Sequence, residues 1–125
     1  MKFSKHYTLK EARLLLPEIR QWLGRLDQLH EKLMPVDKSL MYPVNSGRDM
    51  GGEIVNSQAR TLSLIQETLR EFSRREIQIK DVSRGLIDFP SMRNGREIFL
   101  CWEKEDDDVE FWHDLDVGYG GRERL

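Results

Sequence analysis

The spacing of apolar residues changes near Ile77, and this change limits the possible folds more than any other feature of the chain. Before Ile77, apolar side chains recur every three or four residues, which is the period of a helix that buries one face. After it they alternate with polar side chains, which is the period of a strand. Helices followed by strands are typical of an α+β fold. We therefore predict a long antiparallel helical hairpin followed by a small four-stranded antiparallel β-meander, in a single domain over residues 1–125.

The first helix is predicted over residues 8–34. Thr8 and Glu11 form a capping box, in which each side chain satisfies a free backbone amide of the first turn. Pro17 removes one helical hydrogen bond, so we expect a bend near Arg13 rather than the end of the helix. Alternating spacings of three and four define one seam: Leu9, Ala12, Leu16, Ile19, Leu23, Leu26, His30 and Leu33.

The same helix carries a second stripe of Leu15, Trp22 and Leu29, spaced by seven residues. One stripe can face the second helix, whereas the other needs the sheet or another subunit. We therefore predict self-association through the helices, as a homodimer or a higher homo-oligomer. The alternative is that both stripes belong to the core of one chain.

A loop is predicted over residues 35–52, where prolines and glycines cluster. The second helix is predicted over residues 53–75, antiparallel to the first because a loop joins the two. Its seam consists of Val55, Leu62, Ile65, Leu69 and Phe72.

The β-meander is predicted over residues 77–115, followed by a Gly/Arg tail over residues 116–125. Asn94 and Gly95 favour a two-residue type I′ hairpin turn. Pro90 has no amide hydrogen to donate, so we expect it at a strand end or a bulge. The predicted strands are Ile77–Val82, Gly85–Phe89, Arg96–Glu103 and Val109–Leu115.

Hairpin turns also fix which residues face each other across neighbouring strands. The turn at residues 94–95 places Asp88 opposite Cys101, and the next hairpin places Phe99 opposite His113 on the same sheet face. That face is mixed, and we expect a partner subunit, the helical hairpin or a ligand to cover it. The other face is apolar and is assigned to the helices: Ile87, Phe89, Ile98, Leu100, Trp102 and Trp112.

The predicted register brings together the carboxylate of Asp88, the thiol of Cys101 and the imidazole of His113. They can form an activated nucleophile, with Cys101 attacking, His113 as the base and Asp88 orienting it. The same donors can bind zinc, although their spacing matches no known Cys/His zinc motif. The alternative is a buried cysteine, a satisfied histidine and an aspartate paired with a backbone or basic group.

Other polar residues lie at the end of the last predicted strand. Asp114 and Asp116 share a face there and are candidates for binding a hard divalent cation; the alternative is that Asp116 pairs with Arg96 across the strands. Arg96 and Arg122 are candidates for binding an anion, the second after the glycine-rich run 118–121. The alternative for that run is a flexible or docked tail. Apart from zinc or another divalent cation, no cofactor is predicted.

The composition disfavours several functional classes. Twenty basic and 22 acidic side chains give a net charge of −2, so no global field attracts nucleic acid or an anionic membrane. No run approaches the roughly 18 apolar residues of a membrane span, and residues 1–7 contain no apolar core of signal-peptide length, so we expect no secretion signal. The lone cysteine fits a reducing compartment, so we expect a cytoplasmic location. One basic cluster lacks the interleaved aromatics of a nucleic-acid site: Arg70, Arg74, Arg75, Lys80 and Arg84.

The chain resembles the uncharacterised prokaryotic proteins grouped as domain of unknown function 2203. The resemblance rests on segments 79–81, 85–90, 94–97, 100–102 and 111–116 with Gly118, Gly121 and Arg122, together with the opening residues 7–9, 11–12 and 15–17. It differs at Glu76, where the family usually has glycine, and near Glu105, where the family has a Gly-Glu turn. The resemblance implies no activity, but the shared segment is rich in polar residues: Asp88, Arg96, Cys101, His113, Asp114, Asp116 and Arg122.

Two functions remain open from the sequence. The first is a non-catalytic, self-associating cytoplasmic binding or interaction domain. The second is a small metal-binding protein or thiol-dependent enzyme with its site around Asp88, Cys101 and His113.

Overall fold

The computed structural model describes residues 1–33 and 50–125 of the chain. Two helices are followed by a five-stranded antiparallel sheet, which confirms the predicted α+β fold. The predicted loop over residues 35–52 lies mostly outside the described residues, but its last three residues are helical.

Helix α1 spans Leu9–Leu33 and helix α2 spans Met50–Ser73. The predicted capping box is present at the start of α1. The amide of Glu11 donates to Thr8 Oγ1 (3.1 Å), and the amide of Thr8 donates to Glu11 Oε1 (2.9 Å). The helix continues through Pro17.

Helix α2 is followed by a left-handed residue, Glu76, whose φ is 58°. The amide of Ile77 donates to the carbonyl oxygen of Phe72 (3.0 Å), as in the C-terminal motif that usually places glycine at this position. The Glu76 carboxylate accepts hydrogen bonds from the amides of Ser4 (3.0 Å) and Lys5 (2.6 Å). A glycine would lack this link between the helix end and the N-terminal segment, residues 1–7.

The sheet is a meander, with its strands lying side by side in chain order. The prediction of four strands was one short, because a two-residue strand in the predicted tail pairs with the fourth strand. Two residues are too few to show an alternating pattern. The strands are β1 (Gln78–Asp81), β2 (Leu86–Arg93), β3 (Arg96–Trp102), β4 (Phe111–Asp114) and β5 (Glu123–Arg124).

The turn between β2 and β3 has positive φ at Asn94 (53°) and Gly95 (77°), which confirms type I′. Pro90 lies inside β2 and not at its end, so that expectation was wrong. The ladder of β1 pairs with residues 86–88 only, so no strand requires an amide hydrogen from Pro90 on that side. Instead, the Pro90 carbonyl accepts a hydrogen bond from the amide of Tyr7 (2.7 Å).

The apolar sheet face packs against the helices, as predicted, and forms one core with them. The second stripe of α1 belongs to the same chain's core. Trp22 packs edge-on against Phe72 of α2, with ring centroids 5.3 Å apart, and Leu29 is buried. The stripe therefore gives no reason to place another subunit against α1.

The mixed sheet face is covered by the chain's own ends. Phe3 packs against Phe99 with ring centroids 5.4 Å apart. The Glu97 carboxylate holds this N-terminal segment. Hydrogen bonds from His6 (2.8 Å) and from the amides of Lys2 (2.7 Å) and Phe3 (3.0 Å) lower the pKa of Glu97 to about 2.

Candidate functional site

Three neighbouring strands carry the candidate residues: Asp88 lies on β2, Cys101 on β3 and His113 on β4. The structure pairs Asp88 with Cys101, and Phe99 with His113, so the register predicted from the turns is confirmed. Side chains alternate between sheet faces along a strand, and this register places all three side chains on one face. We call them the Asp–Cys–His cluster.

The cluster is compact and buried. His113 Nε2 lies 3.1 Å from Asp88 Oδ1 and 3.0 Å from Asp88 Oδ2. One ligand atom from each of the three residues lies within 4.8 Å of the other two. The exposed fractions are 2% for Asp88, 0% for Cys101 and 3% for His113. The three residues therefore lie together, as the hairpin register predicts.

The proton positions on His113 follow from its neighbours. Nδ1 lies 2.8 Å from the carbonyl oxygen of Asp114, and a carbonyl can only accept, so Nδ1 carries a hydrogen. Nε2 also faces an acceptor, the Asp88 carboxylate. Burial alone would lower the pKa of His113, but hydrogen bonds with Asp88, Cys101 and the Asp114 carbonyl raise it to about 10. The ring is therefore an imidazolium at neutral pH in the metal-free protein.

The thiol of Cys101 is a poor nucleophile in this setting. Burial has the largest effect and raises its pKa; the hydrogen bond with His113 opposes this increase, and the nearby Asp88 charge adds to it. The thiolate is the reactive form of cysteine. A thiol held protonated at neutral pH argues against covalent catalysis by Cys101 without a further activating group.

The three residues of the cluster line a cavity of about 240 Å³ that is partly open to solvent. One wall comes from the sheet, and the other comes from the C-terminal segment, residues 115–125. Asp116 and Lys80 are the charged residues that line the cavity outside the cluster, among the residues that the structure describes. The remaining lining residues are Leu86, Phe99, Leu115, Val117, Gly118 and Tyr119.

Tyr119 holds the C-terminal wall in place. Its hydroxyl donates to Glu103 Oε1 (2.7 Å), and its ring contacts the guanidinium groups of Arg84 and Arg122, each 4.4 Å from the ring centroid. Arg122 also donates to Asp106 Oδ2 (2.9 Å). Arg122, the candidate for binding an anion, thus already pairs with carboxylates of its own chain. The glycine-rich tail is docked.

The remaining candidates lie at the edge of the site. Arg96 pairs with Asp114 (2.9 Å), not with Asp116 as the sequence suggested. The reason is that β4 ends at Asp114, so strand alternation does not extend to Asp116. Asp116 instead lines the cavity. Asp114 and Asp116 therefore differ in surroundings, one facing a guanidinium and the other the cavity.

The residues that sequence reasoning missed are Lys80, Tyr119 and the carboxylates that hold the chain ends. Lys80 was assigned to a basic cluster in which other members pair with carboxylates: Arg74 and Arg75 with Glu71, and Arg84 with Glu103. Strand alternation alone could not place Lys80, because the register between β1 and β2 shifts between Ile79 and Asp81. Lys80 lies at this irregularity and lines the cavity.

The fold and the site together define a small α+β domain in which a buried carboxylate, thiol and imidazole line a cavity. Over residues 5–125 the chain matches the family described as uncharacterized conserved protein (DUF2203), and it belongs to that family. No curated protein and no solved structure matches the chain. Among the described residues, neither helix is apolar enough along its length to cross a bilayer.

Proposed function

We propose that this protein binds a divalent transition metal, for which Zn²⁺ is the best match, through Asp88, Cys101 and His113. The observation that carries the proposal is the convergence of one oxygen, one sulfur and one nitrogen donor within 4.8 Å of one another. Zinc accepts all three donor types at a single tetrahedral site. Hard cations such as Ca²⁺ and Mg²⁺ prefer oxygen ligands alone.

The geometry at His113 supports this assignment. In a tetrahedral zinc site, a nitrogen and an oxygen ligand lie roughly 3.3 Å apart, close to the 3.0 Å between Nε2 and Asp88 Oδ2. Nδ1 donates to a backbone carbonyl (2.8 Å), the contact that typically orients a metal-bound histidine. A metal would take the place of the Nε2 proton and stabilise the Cys101 thiolate.

Three protein ligands would leave one position of a tetrahedral zinc site unfilled, and all three residues line the cavity. Structural zinc sites usually have four protein ligands, whereas sites that bind substrate keep one position for water or the substrate. In the described residues the helices and the sheet form a packed core away from the cluster. We therefore propose a ligand-binding or catalytic role for the metal rather than a role in folding, and a cytoplasmic location, where Cys101 stays reduced.

The test is metal content after purification under reducing conditions and equilibration with Zn²⁺. We expect one zinc per chain in the wild type, and a loss of zinc in Cys101→Ser and His113→Gln. Asp114→Asn is the matched control, because Asp114 is adjacent to His113 but its carboxylate pairs with Arg96. Zinc retained equally by all variants, or by none including the wild type, would overturn the proposal.

Self-association through the helices is a second candidate, and a surface of α2 favours it. Val55, Leu62 and Leu69 recur every seven residues and are 53%, 50% and 36% exposed. The positions between them on this face, Ala59 and Gln66, are also exposed and uncharged. Two copies can therefore place these faces together without bringing like charges into contact.

The mass in solution tests this second candidate. Light scattering at micromolar concentration is expected to give a dimer or larger oligomer for the wild type and a monomer for Leu62→Glu. Leu14→Glu is the control, because Leu14 is 70% exposed on α1. A monomeric wild type, or dissociation by both substitutions alike, would contradict the assignment to α2.

A further inference from the structure

We infer that the cavity beside the Asp–Cys–His cluster binds a small monocarboxylate with an apolar tail, its carboxylate held between the metal and Lys80. This inference rests on the proposed metal centre. It adds a ligand class and a recognition residue, which the three metal-ligand candidates alone do not supply.

Lys80 supplies the positive charge. It is an exposed residue of β1 that lines the cavity, and its Nζ lies 5.3 Å from the ring centroid of Phe99. The Phe99 ring in turn lies 5.5 Å from the His113 ring. Within the described chain, no carboxylate lies within 4.0 Å of Lys80 Nζ, whereas Arg84 and Arg122 both have one. The ammonium of Lys80 is therefore available to an incoming anion.

The charges around the cavity favour one negative charge on the ligand over two. A Zn²⁺ ion held by one carboxylate, one thiolate and one neutral imidazole has no net charge. Of the other charged residues in the cavity lining, Lys80 is the cation that can face an anionic group, and Asp116 is a carboxylate that repels further negative charge. A dianion such as phosphate would bring an uncompensated charge near Asp116, whereas a monocarboxylate brings only the charge that Lys80 and the metal attract.

The walls and the volume fit an apolar tail. Leu86, Phe99, Leu115 and Val117 line the cavity, and burial of apolar groups against them is favourable. A water molecule takes about 30 Å³ in the liquid, so a cavity of about 240 Å³ has room for a ligand of fewer than roughly ten non-hydrogen atoms. Short aliphatic carboxylates satisfy this limit.

The experiment uses the Co²⁺-loaded protein, because the visible absorption of Co²⁺ reports its fourth ligand. Butyrate, acetate and inorganic phosphate are titrated separately. We expect butyrate to change the spectrum saturably, acetate to bind more weakly because it lacks the tail, and phosphate to bind least. Lys80→Met should raise the Kd for butyrate about tenfold, the loss of one charge-assisted contact. Lys10→Met, at an exposed position of α1, is the matched control.

The outcomes separate this inference from the proposed function. If the protein takes up no Co²⁺, the metal centre itself is wrong. If Co²⁺ binds equally to the wild type and Lys80→Met but no carboxylate changes the spectrum, the metal centre stands and the ligand class is wrong. Tighter binding of phosphate than butyrate, or equal butyrate affinity in both proteins, also overturns the inference.

Discussion

His113 Nε2 and Asp88 Oδ2 lie 3.0 Å apart, although their strands, β4 and β2, are separated by the whole width of β3. Neighbouring strands are about 4.8 Å apart, so both side chains must reach across the middle strand, where Cys101 lies. The contact is a buried ion pair, with both side chains only 3% exposed. This pair lies at the centre of the site, and its effect on stability can be tested in the metal-free protein as well.

Removal of Asp88 is expected to destabilise the metal-free protein strongly. Asp88→Ala leaves the buried His113 without its charge partner, which costs about 3 kcal/mol or more in the free energy of unfolding. The exposed pair between Asp114 and Arg96 is the comparison, and Asp114→Asn should cost less than about 1 kcal/mol. Urea denaturation in the presence of a chelator measures both. Equal losses in the two variants would show that burial does not distinguish the pairs.

Tyr119 is predicted to control access to Cys101. Tyr119→Ala removes the contacts with Arg84 and Arg122 and the hydrogen bond to Glu103, so the C-terminal wall opens more readily. The reaction of Cys101 with a thiol reagent should become about tenfold faster, which corresponds to about 1.4 kcal/mol in the cost of opening. Tyr119→Phe keeps the ring and should react at a rate closer to the wild type. No acceleration in Tyr119→Ala would mean that the wall does not limit access.

The lowered pKa of Glu97 predicts that the protein loses stability in acid. Its pKa is about 2 in the folded protein against an ordinary value of 4.5, so the folded state favours the carboxylate. Its contribution to stability is therefore complete above pH 4.5 and disappears as the pH falls from 4.5 to about 2. The difference in unfolding free energy between the wild type and Glu97→Gln should be constant near neutral pH and shrink over this window. If the difference in unfolding free energy between the two proteins grows as the pH falls, the proposed role of the Glu97 carboxylate is wrong.

Glu76 is predicted to link the end of α2 to the N-terminal segment. Glu76→Gly relieves the left-handed conformation but removes the acceptor for the amides of Ser4 and Lys5. Hydrogen exchange should accelerate at these two amides, while the amide of Tyr7, which donates to Pro90, changes less. Unchanged exchange at Ser4 and Lys5 would show that other contacts hold the segment.

The cluster was predictable from the sequence because local turn chemistry fixes the register. Asn94 and Gly95 require positive φ values, and the resulting two-residue turn leaves one pairing for Asp88 with Cys101. The pairing of Phe99 with His113 also agreed with the prediction, even though the connection before β4 is longer than the expected turn. In both hairpins, one buried apolar face penalises any slip by one residue.

The chain ends were not predictable from local patterns. The N-terminal segment is held by Glu97 and Glu76, and the C-terminal segment by Glu103 through Tyr119. These carboxylates are distant in sequence from the groups that they bind, and no periodicity marks them. The exposure of the apolar residues on α2 was also not predictable from a local pattern. Leu62 and Leu69 fit a helical seam, but the seam does not reveal that α1 leaves them exposed.

Anomalous diffraction at the zinc absorption edge, from crystals of the Zn²⁺-equilibrated protein, tests the central claim most directly. We predict one strong anomalous peak between the three side chains, about 2.3 Å from Cys101 Sγ and about 2.0–2.2 Å from His113 Nε2 and an Asp88 oxygen. A cluster without a peak, in which His113 Nε2 still contacts Asp88 directly, would contradict the claim and leave a buried ion pair beside a thiol.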